Sequence, residues 1–251
     1  MSAFRFKPEK IQVGQVYHYV KSNLDGSDPE RVSLYVAAPD RIESYKFHPG
    51  ASPAGWVMAT MDWETFSAGR LESWQVHAEE EQDFVARLEY LSEARAVEVE
   101  IPMLGPGVDQ VAIPHLPFHM YNFDLASLNF AFRHLADPDQ PFMVGIIDPT
   151  FQPEGPAVVY RGEVELRFVG VEPRAGIVCR KYAMDGAGLD HRGGFIWVDQ
   201  QGDHFVDVEI DLPDNPNWEN FKFRLEGIEQ MTAEVWQAFM ARVIKEGDLV
   251  E

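Results

Sequence analysis

The chain has 251 residues, of which 45% are hydrophobic, 25% charged and 12% aromatic, an ordinary globular composition that excludes disordered, collagen-like and mucin-like classes. Its 41 acidic residues against 21 basic ones give a formal charge of −20, which opposes binding to phosphate backbones and anionic lipid surfaces, so no nucleic-acid partner is expected. The single cysteine, Cys179, closes no intrachain disulfide and excludes paired-cysteine metal and redox motifs.

The first residues, Met1-Ser2-Ala3-Phe4-Arg5, bring in charge at once and lack the run of roughly 7–15 apolar residues that a signal peptide needs. No stretch reaches the run of about 18 apolar residues that spans a bilayer. The expectation is a cytoplasmic protein without membrane insertion. Strand candidates follow at 15–20, 31–37, 41–47, 56–62, 65–76 and 83–90. Val97, Val99 and Ile101 then alternate with Glu98 and Glu100. Residues 102–117 hold Gly105-Pro106-Gly107, Pro114 and Pro117 and read as a crossover loop without regular structure. After Asp124, an N-cap residue type, Leu125, Leu128, Phe132 and Leu135 mark an amphipathic helix over 125–135. Strands resume at 143–147, 160–170, 177–184 and 194–199. Val206, Val208 and Ile210 alternate with Asp207, Glu209 and Asp211, and Phe221, Phe223 and Leu225 with Lys222 and Arg224. A period of two with one dry and one wet face belongs to antiparallel sheets. Thr232 caps a last helix with Val235, Trp236, Phe239, Met240, Val243 and Ile244 on one face and Gly247 to end it.

The run Tyr121-Asn122-Phe123-Asp124-Leu125-Ala126-Ser127-Leu128 opens that helix. It is followed by Gly145-Ile146-Ile147-Asp148, the long strand 160–170 and Phe195-Ile196-Trp197-Val198-Asp199. This succession resembles the uncharacterised bacterial spiral β-roll family over about residues 121–228. The resemblance implies a curved sheet wrapped into an open roll, related to folds that hold lipids or acyl chains in a groove. It brings no catalytic residues with it, and the chain departs from it in showing no export signal. The expected fold is mainly β: an antiparallel spiral β-roll or barrel-like curved sheet with two short packed helices. One domain, 1–251, is expected, its strand-rich halves 1–101 and 142–230 joined by the loop and first helix, with a C-terminal helix over 232–246.

Phosphate-loop, nucleophile-elbow, zinc-protease and dinucleotide motifs are absent, so no cofactor and no metal is expected. His115-Leu116-Pro117-Phe118-His119 leads into Tyr121 and Asp124, and Asp190-His191-Arg192-Gly193-Gly194 precedes an aromatic strand. An imidazole beside a carboxylate is the minimum for acid–base chemistry near neutral pH. His115, His119, His191 and Asp190 are therefore the candidate catalytic residues. Tyr121 and Arg192 would form a polar rim with them, and Trp56 and Trp197 would line an aromatic cavity. Asp124 fits a cap better than a base, and Asp207, Glu209 and Asp211 fit a solvated outer face better than a cation site. The leading functional expectation is binding of an apolar or amphipathic small molecule inside the curved sheet. The alternatives are a lyase, isomerase or hydrolase using a histidine and an acid, and a protein-interaction scaffold. A homodimer stays open.

Overall fold

A computed structural model describes residues 3–49, 51–79, 81–150, 154–214 and 218–246. The alternating segments form strands, because a chain with a period of two buries its apolar side chains only as one face of a sheet. The first half supplies β1 (Gln15–Ser22), β2 (Glu30–Ala38), β3 (Arg41–Phe47), β4 (Ala54–Asp62), β5 (Ser67–Val76), β6 (Gln82–Leu91) and β7 (Ala96–Glu100). The middle supplies β8 (Asp109–Ala112), β9 (Phe118–Met120) and helix α1 (Ala126–Phe132). The second half supplies β10 (Phe142–Pro149), β11 (Val158–Arg174), β12 (Ile177–Asp185), β13 (Gly194–Asp199), β14 (Phe205–Ile210), β15 (Phe221–Gln230) and helix α2 (Ala233–Glu246).

All fifteen strands make one sheet in the order β8-β7-β6-β5-β4-β3-β2-β1-β15-β14-β13-β12-β11-β10-β9. The first and last strands pair at its centre, Gln15 opposite Gln230, and each half meanders outward from there. Neighbours are antiparallel except β9 and β10, which run parallel. The sheet curls until its two wings meet. Phe118 N of β9 donates to Ser67 Oγ of β5 at 2.9 Å, and Ala157 N, just before β11, donates to Asp109 Oδ2 of β8 at 2.8 Å.

The inner face carries Tyr17, Tyr19, Val32, Leu34, Val36, Ile196 and Val198, and the residues around α1 are buried against it in the same core. On the outer face Val16, Tyr35, Tyr45 and Phe47 receive Trp236, Met240, Val243 and Ile244 of α2. Val235 lies outside that face, 52% exposed. Thr232 Oγ1 accepts from Val235 N at 3.3 Å, as a cap should. Gly247 lies outside the described residues.

Three expectations need correction. The stretch 102–117 is not free of regular structure: it holds a 3-10 turn at Pro102–Leu104 and the edge strand β8. Helix α1 is shorter than its apolar spacing suggests and Asp124 does not cap it. Leu125 occupies the N-cap position in a left-handed conformation with no side-chain cap bond, and Asp124 also has a φ of 52°. Asp207 is 2% exposed rather than solvated. The length of β11 carries Arg174 over β13 and β14, where Nε meets Asp207 Oδ2 at 2.7 Å and the guanidinium stacks 4.2 Å from the Trp197 ring centre.

Candidate functional site

The segment 121–135 lies along the inner face of β1, and polar side chains fix its register. Asp124 Oδ1 meets Lys21 Nζ at 2.9 Å, Asn129 Nδ2 donates to Tyr19 Oη at 3.0 Å, and Arg133 Nη2 reaches Tyr17 Oη at 3.5 Å. Four helical residues advance about 6 Å, the same as two strand residues, so 129 and 133 fall opposite 19 and 17. Between these pins Leu125, Leu128, Phe130 and Phe132 fill the interior with apolar surface. A void bounded by Leu71, Leu88, Phe118, Phe123 and Ser127 holds about 10 Å³, roughly the room for one water.

At one end of the roll lies a buried ionic cluster. Lys21 is 2% exposed and contacts Asp124, Asp214 at 2.5 Å and Glu30 at 3.8 Å. Lys46 Nζ holds the second Asp124 oxygen at 2.8 Å and donates to Asn122 O at 2.7 Å. Burial works against the Asp124 charge, yet the two ammonium groups hold its pKa below the usual carboxylate value. Asp214 lies the other way: burial pushes it up to about 6, against the pull of Lys21 and with the Asp124 charge adding to the rise. Asn122 N donates to Asp148 Oδ1 at 3.1 Å, and Arg161 links Asp148 to Asp190 at 3.1 and 2.9 Å.

Near the C-terminal end of α1 a pocket of about 190 Å³ reaches solvent. Phe132, Leu135, Tyr182 and Val198 form one wall, and all four belong to the interior core. Lys7, Lys10, Arg133 and Arg180 also line the pocket, with Pro138, Gln200 and the carboxylate Asp203. Apolar and cationic side chains lining one cavity are what an amphipathic molecule requires.

The predicted site residues occupy separate places. His119 is 1% exposed, with Nδ1 2.9 Å from Ser127 Oγ, and burial lowers its pKa to about 3, so it is neutral near pH 7. Tyr121 is fully buried and donates to Leu212 O at 2.5 Å. His115 sits half-buried at the edge, Nε2 3.1 Å from Met143 O. Asp190, His191 and Arg192 are exposed on a turn, where Asp190 pairs with Arg161 and Arg192 lies 3.6 Å from Asp211. Among the described residues none of the three histidines bonds to a carboxylate. The two tryptophans are corrected outright, because neither lines the interior. Trp197 lies on the outer face with Cys179 and Val206, its Nε1 donating to Glu172 at 2.6 Å. Trp56 borders a groove beside α2, donating to Glu43 at 3.2 Å. Alternation in sequence places a side chain on one face of a strand without saying which face turns inward.

Sequence reasoning missed Lys7, Lys10, Arg133 and Arg180, and also Lys21, Lys46 and Asp214. A signal was present for two of them. Lys21 continues the inward parity of Tyr17 and Tyr19, and Arg133 follows directly on the apolar residue Phe132.

The arrangement defines a curved, mostly antiparallel β-sheet protein with an internal helical segment. No protein-family model and no curated protein matches the chain. Among solved structures it is similar to the lipoprotein LppX of Mycobacterium tuberculosis, at 12% identity over 85% of each chain with a TM-score of 0.25. It is also similar to a putative exported protein with a YmcC-like fold from Bacteroides fragilis, at 15% identity over 91% of this chain and 100% of that one, TM-score 0.31. A third is a putative outer membrane lipoprotein-sorting protein domain from Vibrio parahaemolyticus, at 7% identity over 91% of each chain, TM-score 0.24. No residue role or activity is carried across from them. The cytoplasmic placement expected from the sequence is dropped against these descriptions, a lipoprotein, a putative exported protein and a putative outer membrane lipoprotein-sorting protein domain.

Proposed function

We propose that the protein binds an amphipathic, lipid-like small molecule at the α1 end of the roll, acting as one domain around its continuous sheet. The observation that supports this is the pocket lined by Phe132, Leu135, Tyr182 and Val198, all four of which also belong to the interior core, together with Lys7, Lys10, Arg133 and Arg180. The apolar part of the ligand lies against the four core residues. A longer chain reaches further by displacing side chains of residues 121–135, because the void beside Phe123 and Ser127 holds only about 10 Å³. Such displacement starts from a segment whose first turn holds two consecutive non-glycine residues, Asp124 and Leu125, at positive φ, a conformation that costs of order 1–3 kcal/mol at each. Titration with a fluorescent acyl-chain probe whose emission rises in apolar surroundings tests the reading. Saturable one-to-one uptake, displaced by unlabelled fatty acid, is expected. Absence of saturable uptake, or uptake unchanged in a Val198→Arg variant that remains folded, rejects it.

A further inference from the structure

The chain carries a formal charge of −20, yet four cations and one carboxylate, Asp203, line the pocket at the end of α1. Asp203 is already shared: Lys10 Nζ meets Oδ2 at 2.7 Å, and Arg180 Nη1 meets Oδ1 at 3.2 Å. Among the described residues the other two cations have only neutral acceptors. Lys7 Nζ donates to Leu135 O at 2.6 Å. Arg133 is 3% exposed and makes two long bonds, Nη1 to Lys10 O at 3.4 Å and Nη2 to Tyr17 Oη at 3.5 Å. Its Nε, also buried, has no partner, and no carboxylate of the described residues pairs with it. Its guanidinium instead stacks on Phe130, 4.5 Å from the ring centre. A buried guanidinium without a counter-ion is costly unless something anionic completes it. The end of α1 supplies at most about half a negative charge, and this helix has only two turns.

Two buried histidines lie beside that charge. His134 and His204, packed near Arg133, both have lowered pKa values, His134 to about 3. Burial is the main cause in each, and the Arg133 charge adds to it. Asp199, 3.8 Å from His204 Nε2, opposes the shift there without reversing it. Asp137, Asp139 and Asp199 lie in the neighbourhood, as their effects on Tyr182 and His204 show, but none of the three lines the pocket.

The geometry points to an anion site formed by Arg133, Lys7, Lys10 and Arg180 that takes a phosphate-type oxyanion, either as free phosphate or as the head group of a lipid whose chain follows the adjoining apolar wall. Guanidinium and ammonium donors converging on one cavity suit a group with several acceptor oxygens. In its second form the inference rests on the ligand reading above, and in its first form it stands without it.

Isothermal titration of the whole protein with inorganic phosphate, with dihexanoyl phosphatidic acid and with an uncharged monoacylglycerol separates these cases. Wild-type protein is expected to bind phosphate or phosphatidic acid saturably, more weakly as sodium chloride rises. Arg133→Gln should lower that affinity at least tenfold. Because Arg133 is buried and the variant can misfold, Lys7→Gln/Arg180→Gln at the half-buried rim serves as the second variant and should show the same loss with its melting curve intact. Phosphate bound while neither lipid is taken up upholds the anion site and overturns the lipid reading. Monoacylglycerol bound equally by wild type and variants, with phosphate and phosphatidic acid giving no charge-dependent gain, overturns the anion site and leaves the lipid reading standing.

Discussion

Replacing Lys21 by Met tests the role of the buried ionic cluster in fixing residues 121–125 to the sheet. Lys21 Nζ lies 2.9 Å from Asp124 and 2.5 Å from Asp214, and at an effective dielectric of about 20 each contact corresponds to roughly 6 kcal/mol of attraction before desolvation is subtracted. Asp124 keeps Lys46 at 2.8 Å in the variant, whereas Asp214 loses its only ion-pair partner among the described residues. Stranding one buried charge costs about 3–5 kcal/mol. In a chain of this size that is a fall in melting temperature of roughly 6–20 °C. The loss should depend on pH. Asp214 already titrates at about 6, and without Lys21 it escapes its penalty by taking up a proton, so the variant is hurt more at pH 8 than at pH 5. Urea unfolding at both pH values, followed by circular dichroism, reads the shift in midpoint at unchanged slope. Lys21→Met/Asp214→Asn should recover most of the loss, because the stranded charge is gone. A loss below about 1 kcal/mol, or one equal at the two pH values, would show that Lys21 does not hold Asp214 and Asp124 charged in the fold.

Trp236→Ala should destabilise by about 3–5 kcal/mol, since Trp236 is 1% exposed, stacks 5.0 Å from Tyr35 and donates to Glu43 at 2.9 Å. Phe239→Ala should cost only about 1–2 kcal/mol, because Phe239 is half-buried; chemical denaturation ranks the two, and equal losses would contradict the docking described. His119 and His134 have folded-state pKa values lowered to about 3, so the unfolded chain takes up protons that the folded one refuses. Their contribution is complete above about pH 6.5 and drains away as the pH falls towards 3. Asp214, raised to about 6, works in the opposite sense between pH 6 and 4. The two histidines outweigh it, so thermal melts should show Tm falling from pH 7 to 4, and a flat profile would count against neutral buried imidazoles. In Gly194→Ala the new Cβ would lie 2.9 Å from Ile210 Cα and closer still to the Glu209 carbonyl. The β13–β14 pair would have to part, with an expected loss of about 2 kcal/mol in a denaturant titration.

The strands were legible because each alternating run could bury its apolar residues in only one way, and α2 because Thr232 and the stripe through Trp236 and Met240 agree. What stayed hidden was decided by contacts remote in sequence. Strand β9 has three residues, too few for a period, and exists because β10 pairs with it. Asp124 has the chemistry of a cap, but Lys21 and Lys46, 103 and 78 positions earlier, claim its carboxylate. The histidine loops drew attention as conspicuous residue types, yet Pro117 and the β9 pairing turn His119 inward to Ser127 while His115 stays at the edge. Arg133 reads as an ordinary helix-end cation until the fold sets it in a pocket wall with Lys7 and Arg180.

Native mass spectrometry of the folded protein after incubation with a mixture of fatty acids and phosphatidic acids decides whether the pocket holds a lipid, because it weighs the ligand together with the chain that holds it. A single adduct of one lipid mass per chain is expected, retained at low collision energy and lost when Val198→Arg fills the apolar side of the pocket. Bare protein at every lipid concentration, or a ladder of non-stoichiometric adducts identical in wild type and variant, would contradict it.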